Sequence, residues 1–93
     1  MVVSKNEVAR DVVINNELGL HARAAAQIAG LAQNSTAAVW IKKGHEKADA
    51  SSILDILTLG CENGTSIRII IEDSSDHEIL DAIAALVESG FGE

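Results

Sequence analysis

The chain has 93 residues, of which 47% are hydrophobic, and it carries a formal net charge of −7. A chain of this length can bury one hydrophobic core, so we predict a single domain over residues 1–93. The apolar fraction is too high for a disordered chain. The excess of acidic side chains argues against nucleic acid and anionic membranes as partners.

Cysteine usage and the lack of long apolar runs predict a cytoplasmic location. Cys61 has no second cysteine to pair with, which suits a reducing compartment. The N-terminus lacks a secretory signal, and no apolar run reaches the roughly 20 residues that span a bilayer. His45, His77 and Cys61 do not have metal-ligand spacing, and no phosphate-binding glycine loop occurs. We therefore expect no metal site, no cofactor and no membrane insertion.

The first half of the sequence predicts a strand, a helix and a two-stranded hairpin. Residues 8–14 are rich in β-branched side chains, and residues 22–33 repeat apolar side chains at helical spacing. Residues 37–43 alternate between inward and outward positions, as a strand with one buried side does. A turn over residues 43–46 then leads into a short strand over residues 46–50.

The second half predicts two helices separated by a strand. Ser52 and Asp55 have the spacing of a capping box at the start of a short helix that ends at Gly60. Residues 66–72 predict a strand, and a second capping box over residues 75–78 begins the last, amphipathic helix. In the order β-α-β-β-α-β-α, strands and helices do not alternate throughout, as they do in proteins with a parallel sheet. We therefore predict an α+β domain with an antiparallel sheet and helices on one face.

His21 and Arg23 stand at the start of the first predicted helix and form the strongest candidate site. The first N–H groups of a helix have no partner within it, and the positive end of the helix dipole attracts anions. Histidine titrates near neutral pH, and a guanidinium beside it pairs well with phosphate. A cation in the first turn opposes the helix dipole, which is typical of a functional residue. The alternatives are a histidine that only caps the helix and an arginine that points into solvent.

The short second helix carries more apolar side chains than one face can bury. Ile53, Ile56 and Leu57 fall on one stripe, whereas Leu54 lies outside it. We expect exposed apolar surface here, at which a partner docks. The alternative is that loops cover this surface.

These residues resemble the HPr family, the histidine-containing phosphocarriers of the bacterial phosphotransferase system. The run Gly19-Leu20-His21-Ala22-Arg23 is similar to the active-site signature of the family. The segment from Lys47 to Gly60 is similar to its regulatory-serine segment. The resemblance covers about residues 7–93 and leaves residues 1–6 as a short, loosely ordered N-terminal extension.

The resemblance implies an open-faced β-sandwich, in which a four-stranded antiparallel sheet carries three helices on one face. It implies that His21, with Arg23 beside it, accepts a phosphoryl group on Nδ1 from enzyme I. The group would pass to EIIA domains for sugar uptake or its regulation, so the chain would be a monomeric carrier rather than a self-sufficient enzyme. Ser52 would be a regulatory site for a serine kinase and a phosphorylase. The docking residues that the resemblance implies are Ala22, Ala26, Ile53, Leu54 and Leu57.

Two alternative functions are compatible with the sequence. One is a nitrogen-type regulatory phosphocarrier that serves no sugar transporter. The other is a binding or corepressor-type module that acts through phosphorylation of Ser52 and through the apolar second helix. His21 argues against the binding module, because a protein that only binds does not need this histidine.

Overall fold

A computed structural model describes residues 8–93 of the chain. The N-terminal extension expected over residues 1–6 lies outside the described residues. Four strands, three α-helices and two 3₁₀ turns make up residues 8–93. In chain order they are β1 (Val8–Val13), α1 (Ala22–Ala32), β2 (Val39–Lys43), β3 (Glu46–Asp49), α2 (Ile53–Leu59), β4 (Ser66–Ile71), a 3₁₀ turn (Ser74–Asp76), α3 (His77–Glu88) and a second 3₁₀ turn (Gly90–Gly92).

The four strands form one antiparallel sheet in the order β1-β4-β2-β3. The hairpin between β2 and β3 closes directly after the pair Lys43 and Glu46, through a two-residue turn that starts with Gly44 at φ 58°. One side of the sheet packs against the helices and shares a single hydrophobic core with them. The predicted α+β architecture, an antiparallel sheet with helices on one face, is confirmed.

The core is almost entirely aliphatic. Its largest fully buried side chains are seven isoleucines and two valines: Ile14, Ile28, Ile41, Ile56, Ile69, Ile71, Ile83, Val39 and Val87. These β-branched side chains have restricted χ1 rotamers, so burial in strand or helix costs them little additional side-chain freedom. Of the two aromatic residues, Phe91 is buried at 3% exposure. Trp40 lies on the open face of the sheet instead, where its indole N–H donates to Glu72 at 2.7 Å.

The buried side of α2 differs from the predicted stripe. Ile56 and Leu59 are buried, whereas Ile53 and Leu57 are 39% and 36% exposed. Leu54 is 76% exposed, so the expected apolar surface is present on this helix. The predicted stripe is correct at Ile56 and wrong at Ile53 and Leu57. The helix has only seven residues, about two turns, and its buried side consists of Ile56 and Leu59. The predicted cap is correct in part: Ser52 Oγ accepts from the Asp55 N–H at 3.2 Å, but the Asp55 carboxylate does not return the bond to Ser52.

The predicted capping box over residues 75–78 does not form. Asp73 caps the 3₁₀ turn instead, by accepting from the Ser75 N–H at 2.9 Å. The neighbouring Asp76 is buried, and its carboxylate accepts from the N–H groups of Thr36 at 2.8 Å and Ala37 at 3.0 Å. These two N–H groups are therefore not available to the sheet, which explains why β2 begins at Val39 and not at residue 37 as predicted.

Replacement of Asp76 by asparagine should destabilise the fold in a pH-dependent way. The bond from the Thr36 N–H is the main cause that lowers the pKa of Asp76, and the bond from Ala37 adds to it. A carboxylate whose pKa is lower in the folded chain stabilises it above the unfolded pKa, and this stabilisation is lost as the pH falls through the folded pKa. We expect Asp76→Asn to cost about 1–3 kcal/mol at neutral pH. Urea unfolding of both proteins from about pH 7 to about pH 2 should show this difference shrinking. A difference that stays constant would contradict the assignment.

Candidate functional site

His21 is the N-cap residue of α1. Its backbone is extended, with φ −77° and ψ 178°, and its carbonyl accepts from the Ala25 N–H at 2.9 Å. Its side chain makes no capping hydrogen bond to the helix. The N–H groups of residues 22–24 have neither a carbonyl partner nor a side-chain cap from His21, and the positive end of the helix dipole lies at this end of α1.

The loop that leads to His21 is fixed against the connection between α2 and β4. The Leu20 N–H donates to the Cys61 carbonyl at 2.8 Å, and the Leu20 side chain is buried. Gly19 adopts φ 64°, and a Cβ atom there would lie 2.4 Å from the same carbonyl oxygen. Only glycine fits this approach. Cys61 contributes its backbone carbonyl to this contact, while its side chain is buried and burial raises the pKa of the thiol.

The imidazole of His21 contacts the carboxylate of Glu93. The Nε2 atom lies 2.5 Å from Oε2 of Glu93, and each side chain is about one quarter exposed, at 25% and 24%. The other carboxylate oxygen accepts from the buried Asn16 amide at 3.3 Å. The bond from His21 is the main cause that lowers the pKa of Glu93, with contributions from Asn16 and from the charge of Arg23. An ionised carboxylate can only accept, so Nε2 of His21 carries the proton.

Arg23 is exposed in the first turn of α1, two residues beyond His21. Within residues 8–93 its guanidinium has no ion pair and no hydrogen bond, in contrast to Arg10 and Arg68, which each pair with an aspartate. Its charge is the smallest of the contributions that lower the pKa of Glu93, and the His21 bond is the largest. A guanidinium without a partner among the described residues thus follows His21 in the first turn of α1.

The predicted docking residues lie on two neighbouring helices. Ala22 and Ala26 are exposed on α1, and Ile53, Leu54 and Leu57 are exposed on α2. The two helices pack against each other, and His21 is the N-cap residue of the first of them. We call these five residues the apolar docking face.

Ser52 stands apart from the His21 site, as the N-cap of α2. Its hydroxyl is partly exposed and accepts from the Asp55 N–H. Asp49 lies in the preceding turn, where its carboxylate accepts from both the N–H and the hydroxyl of Ser51. Ser52 therefore has an acidic residue on each side along the chain, Asp49 before it and Asp55 after it.

Glu93 and Asn16 are functional candidates that the sequence alone did not indicate. Their side chains meet across 77 positions of sequence, a distance over which periodicity and capping rules give no information. The one local signal is the tripeptide Gly90-Phe91-Gly92, in which an aromatic residue between two glycines ends the last helix with a turn. His45 and His77 lie elsewhere, in the β2–β3 turn and at the start of α3.

Two further features concern ions and membranes. Across residues 8–93 there is no group of three or more His, Cys, Asp or Glu side chains that could hold a metal ion. Nor does any helix in the described part of the chain have the length and apolar character needed to cross a membrane.

Comparison with known proteins agrees with this geometry. A family model described as the phosphorylation site of the HPr component of the phosphotransferase system matches residues 8–89. The chain belongs to the HPr family of phosphocarriers. It is 43% identical over 84 residues to the phosphocarrier protein NPr of Shewanella violacea, covering 90% of this chain and 92% of that one. It is 36% identical to the phosphocarrier protein HPr of Cupriavidus necator, covering 90% and 94%.

A solved HPr structure shares the same architecture. The crystal structure of HPr from Thermoanaerobacter tengcongensis superposes with a TM-score of 0.84 at 33% identity, over 92% of this chain and 97% of that one. The open-faced sheet with three helices that the family resemblance implied is therefore confirmed.

Replacement of Gly19 by alanine should destabilise the site more than the same change at Gly44. Both glycines have positive φ, at 64° and 58°, so each alanine incurs a conformational cost of about 1–2 kcal/mol. Only at Gly19 does the new Cβ meet backbone, whereas nothing lies within 4 Å of it at Gly44. We expect an additional loss of about 1–3 kcal/mol for Gly19→Ala. Chemical denaturation of the two variants measures this difference, and equal stabilities would show that the loop gives way without cost.

Proposed function

We propose that His21 is the phosphorylated residue of this carrier, and that it accepts the phosphoryl group on Nδ1 from enzyme I and passes it to an EIIA domain. The observation that carries this proposal is the position of the ring at the N-cap of α1, with Nε2 already engaged by Glu93. Among residues 8–93 no hydrogen bond engages Nδ1. The lone pair of this atom is therefore free to attack phosphorus.

The first turn of α1 can stabilise the phosphorylated ring. The N–H groups of Ala22, Arg23 and Ala24 have no carbonyl partner, and they can donate to phosphoryl oxygens. The guanidinium of Arg23 adds a charge-assisted bond and neutralises part of the negative charge. We assign Arg23 this role because it is free within residues 8–93 and because its charge already acts on Glu93.

As a member of the HPr family, the chain works with other proteins of the phosphotransferase system. We propose that enzyme I and the EIIA domain both bind at the apolar docking face. Leu54 at 76% exposure and Ile53 at 39% are large apolar side chains that water surrounds in the free protein. Their burial against a partner is favourable by about 25 cal/mol per Å² of apolar area. Such a face fits an apolar partner surface better than a strongly acidic one.

The protein that receives the phosphoryl group from this chain is proposed only as a class, the EIIA domains. The relatives of this chain carry the names HPr and NPr, and 43% identity to an NPr keeps the nitrogen-type regulatory branch as a second candidate. Both branches use the same histidine chemistry, so the assignment of His21 does not depend on the choice. We further propose that residues 1–93 act as one monomeric domain around the single core.

Ser52 is proposed as a second, regulatory phosphorylation site for a serine kinase. Its support is the partly exposed hydroxyl directly before Ile53 and Leu54, at the edge of the apolar docking face. A phosphate there would place a charge that an apolar partner would have to desolvate. Asp49 and Asp55 make the surroundings more negative still.

Replacement of His21 by alanine should abolish phosphorylation without loss of fold. The ring is partly exposed and caps nothing, so we expect a change in stability of no more than about 1 kcal/mol. Each protein is incubated with phosphoenolpyruvate and the cognate enzyme I, and acid-labile phosphate is located by mass spectrometry. His77→Ala is the control and should be phosphorylated at the wild-type rate. Phosphate that persists on His45 or His77 in the His21 variant would sink the assignment.

Replacement of Ser52 by aspartate should slow phosphorylation of His21 without a lower melting temperature. Aspartate can still accept from the Asp55 N–H and so keeps the cap of α2. Its charge beside the docking face should slow transfer by roughly tenfold, equivalent to about 1.4 kcal/mol of desolvation. Ser52→Asn is a matched neutral cap and should behave like the wild type. Equal transfer rates for both variants would show that Ser52 is only a cap.

A further inference from the structure

The segment after α3 holds Glu93 in contact with the histidine by an unusual backbone path. Gly90, Phe91 and Gly92 all have positive φ, at 70°, 59° and 73°. Phe91 is the only non-glycine residue with positive φ within residues 8–93, a conformation that costs about 1–2 kcal/mol. Its side chain is buried in the core, which anchors the turn. The turn therefore places the next residue, Glu93, at a defined position and not in solvent.

The carboxylate of Glu93 is oriented from a second direction as well. Asn16 is 5% exposed, and its amide donates both to the Gly19 carbonyl at 2.8 Å and to Oε1 of Glu93 at 3.3 Å. The same asparagine thus fixes the loop before His21 and the carboxylate that contacts it. A chance ion pair on the surface would not be held in this way, because here the buried side chain of Asn16 binds both Glu93 and the loop that carries His21.

We propose that Glu93 is a positioning residue for phosphoryl transfer at His21, an inference that rests on the proposed function. Its carboxylate accepts from Nε2–H and so keeps the proton on that nitrogen. The neutral ring then has its lone pair on Nδ1, which is the atom that must attack. This is the role that a carboxylate has when it orients a metal-binding or catalytic histidine through the other ring nitrogen.

The transfer step can be written with Glu93 in place. The Nδ1 lone pair forms a bond to phosphorus, the bond from phosphorus to the donor group of enzyme I breaks, and its electron pair stays with the donor. The imidazole ring gains positive charge while Nε2 retains its proton, and the adjacent Glu93 carboxylate stabilises that charge. In the onward transfer the Nδ1–P bond breaks and the pair returns to Nδ1. The protonated ring is the better leaving group, so the same contact assists both directions.

The proposed role of Glu93 is tested directly by measuring which nitrogen of the His21 ring carries the proton. Glutamine at position 93 can either accept from or donate to Nε2, so it no longer selects one tautomer. We expect ¹⁵N NMR of the His21 ring in Glu93→Gln to show a larger population of the Nδ1-protonated form. Glu88→Gln removes the same charge five residues earlier in the chain, from an exposed side chain without a bond to His21, and should leave the ring spectrum unchanged.

The rate of single-turnover phosphorylation by enzyme I gives the second readout. We expect Glu93→Gln to transfer more slowly than Glu88→Gln, by on the order of tenfold, as when an orienting carboxylate is lost. The proposal is overturned if the two variants match in tautomer or in rate, since positioning requires both effects. If the wild-type protein accepts no phosphate at His21, the proposed function fails, and the tautomer comparison still decides whether Glu93 orients the ring.

Discussion

The hydrogen bond from the Leu20 N–H to the Cys61 carbonyl fixes the position of the whole site. It joins the loop before α1 to the connection before β4, at 2.8 Å. Gly19 permits this approach because a side chain there would overlap the carbonyl oxygen. On the other side of the same loop, Asn16 holds the Gly19 carbonyl at 2.8 Å. His21 follows directly, so the start of α1 depends on these two hydrogen bonds, while the imidazole itself contacts Glu93.

The topology of the sheet brings the C-terminal end of the described chain to this point. β1 pairs with β4, and α3 returns across β1 after β4 is complete. Two contacts tie the helix to the first strand and its loop: Arg10 pairs with Asp81 at 2.6 Å, and the Asn15 amide donates to the Glu88 carbonyl at 3.0 Å. The second bond lies one residue from Asn16. The end of α3 is therefore set beside the His21 loop, and one short turn suffices to carry Glu93 to the ring.

Local patterns predicted the elements well and the long-range contacts poorly. The alternation in β4 predicted the burial of Ile67, Ile69 and Ile71. Successive side chains of a strand point to opposite faces of the sheet, so the local sequence is enough to show which face is buried. The Ser52 cap was predictable for the same reason, since donor and acceptor are three residues apart. Asp76 was not, because its carboxylate binds N–H groups 39 and 40 residues away instead of capping its own helix. The contact of His21 with Glu93 spans 72 residues and depends on the same tertiary arrangement.

A phosphocarrier must bind phosphate firmly enough to protect it and weakly enough to release it. The charges around His21, the residue that we propose is phosphorylated, are mixed in a way that suits this need. The helix N–H groups and Arg23 favour the negative charge that a phosphoryl group on the ring would add. Glu93 is ionised near neutral pH, and its negative charge, in contact with Nε2 of the ring, opposes the added charge. The formal net charge of −7 adds a weaker, screened repulsion. A site built only from cations would hold the phosphoryl group too well, whereas the site proposed here would leave the balance to the partner that we propose docks beside it.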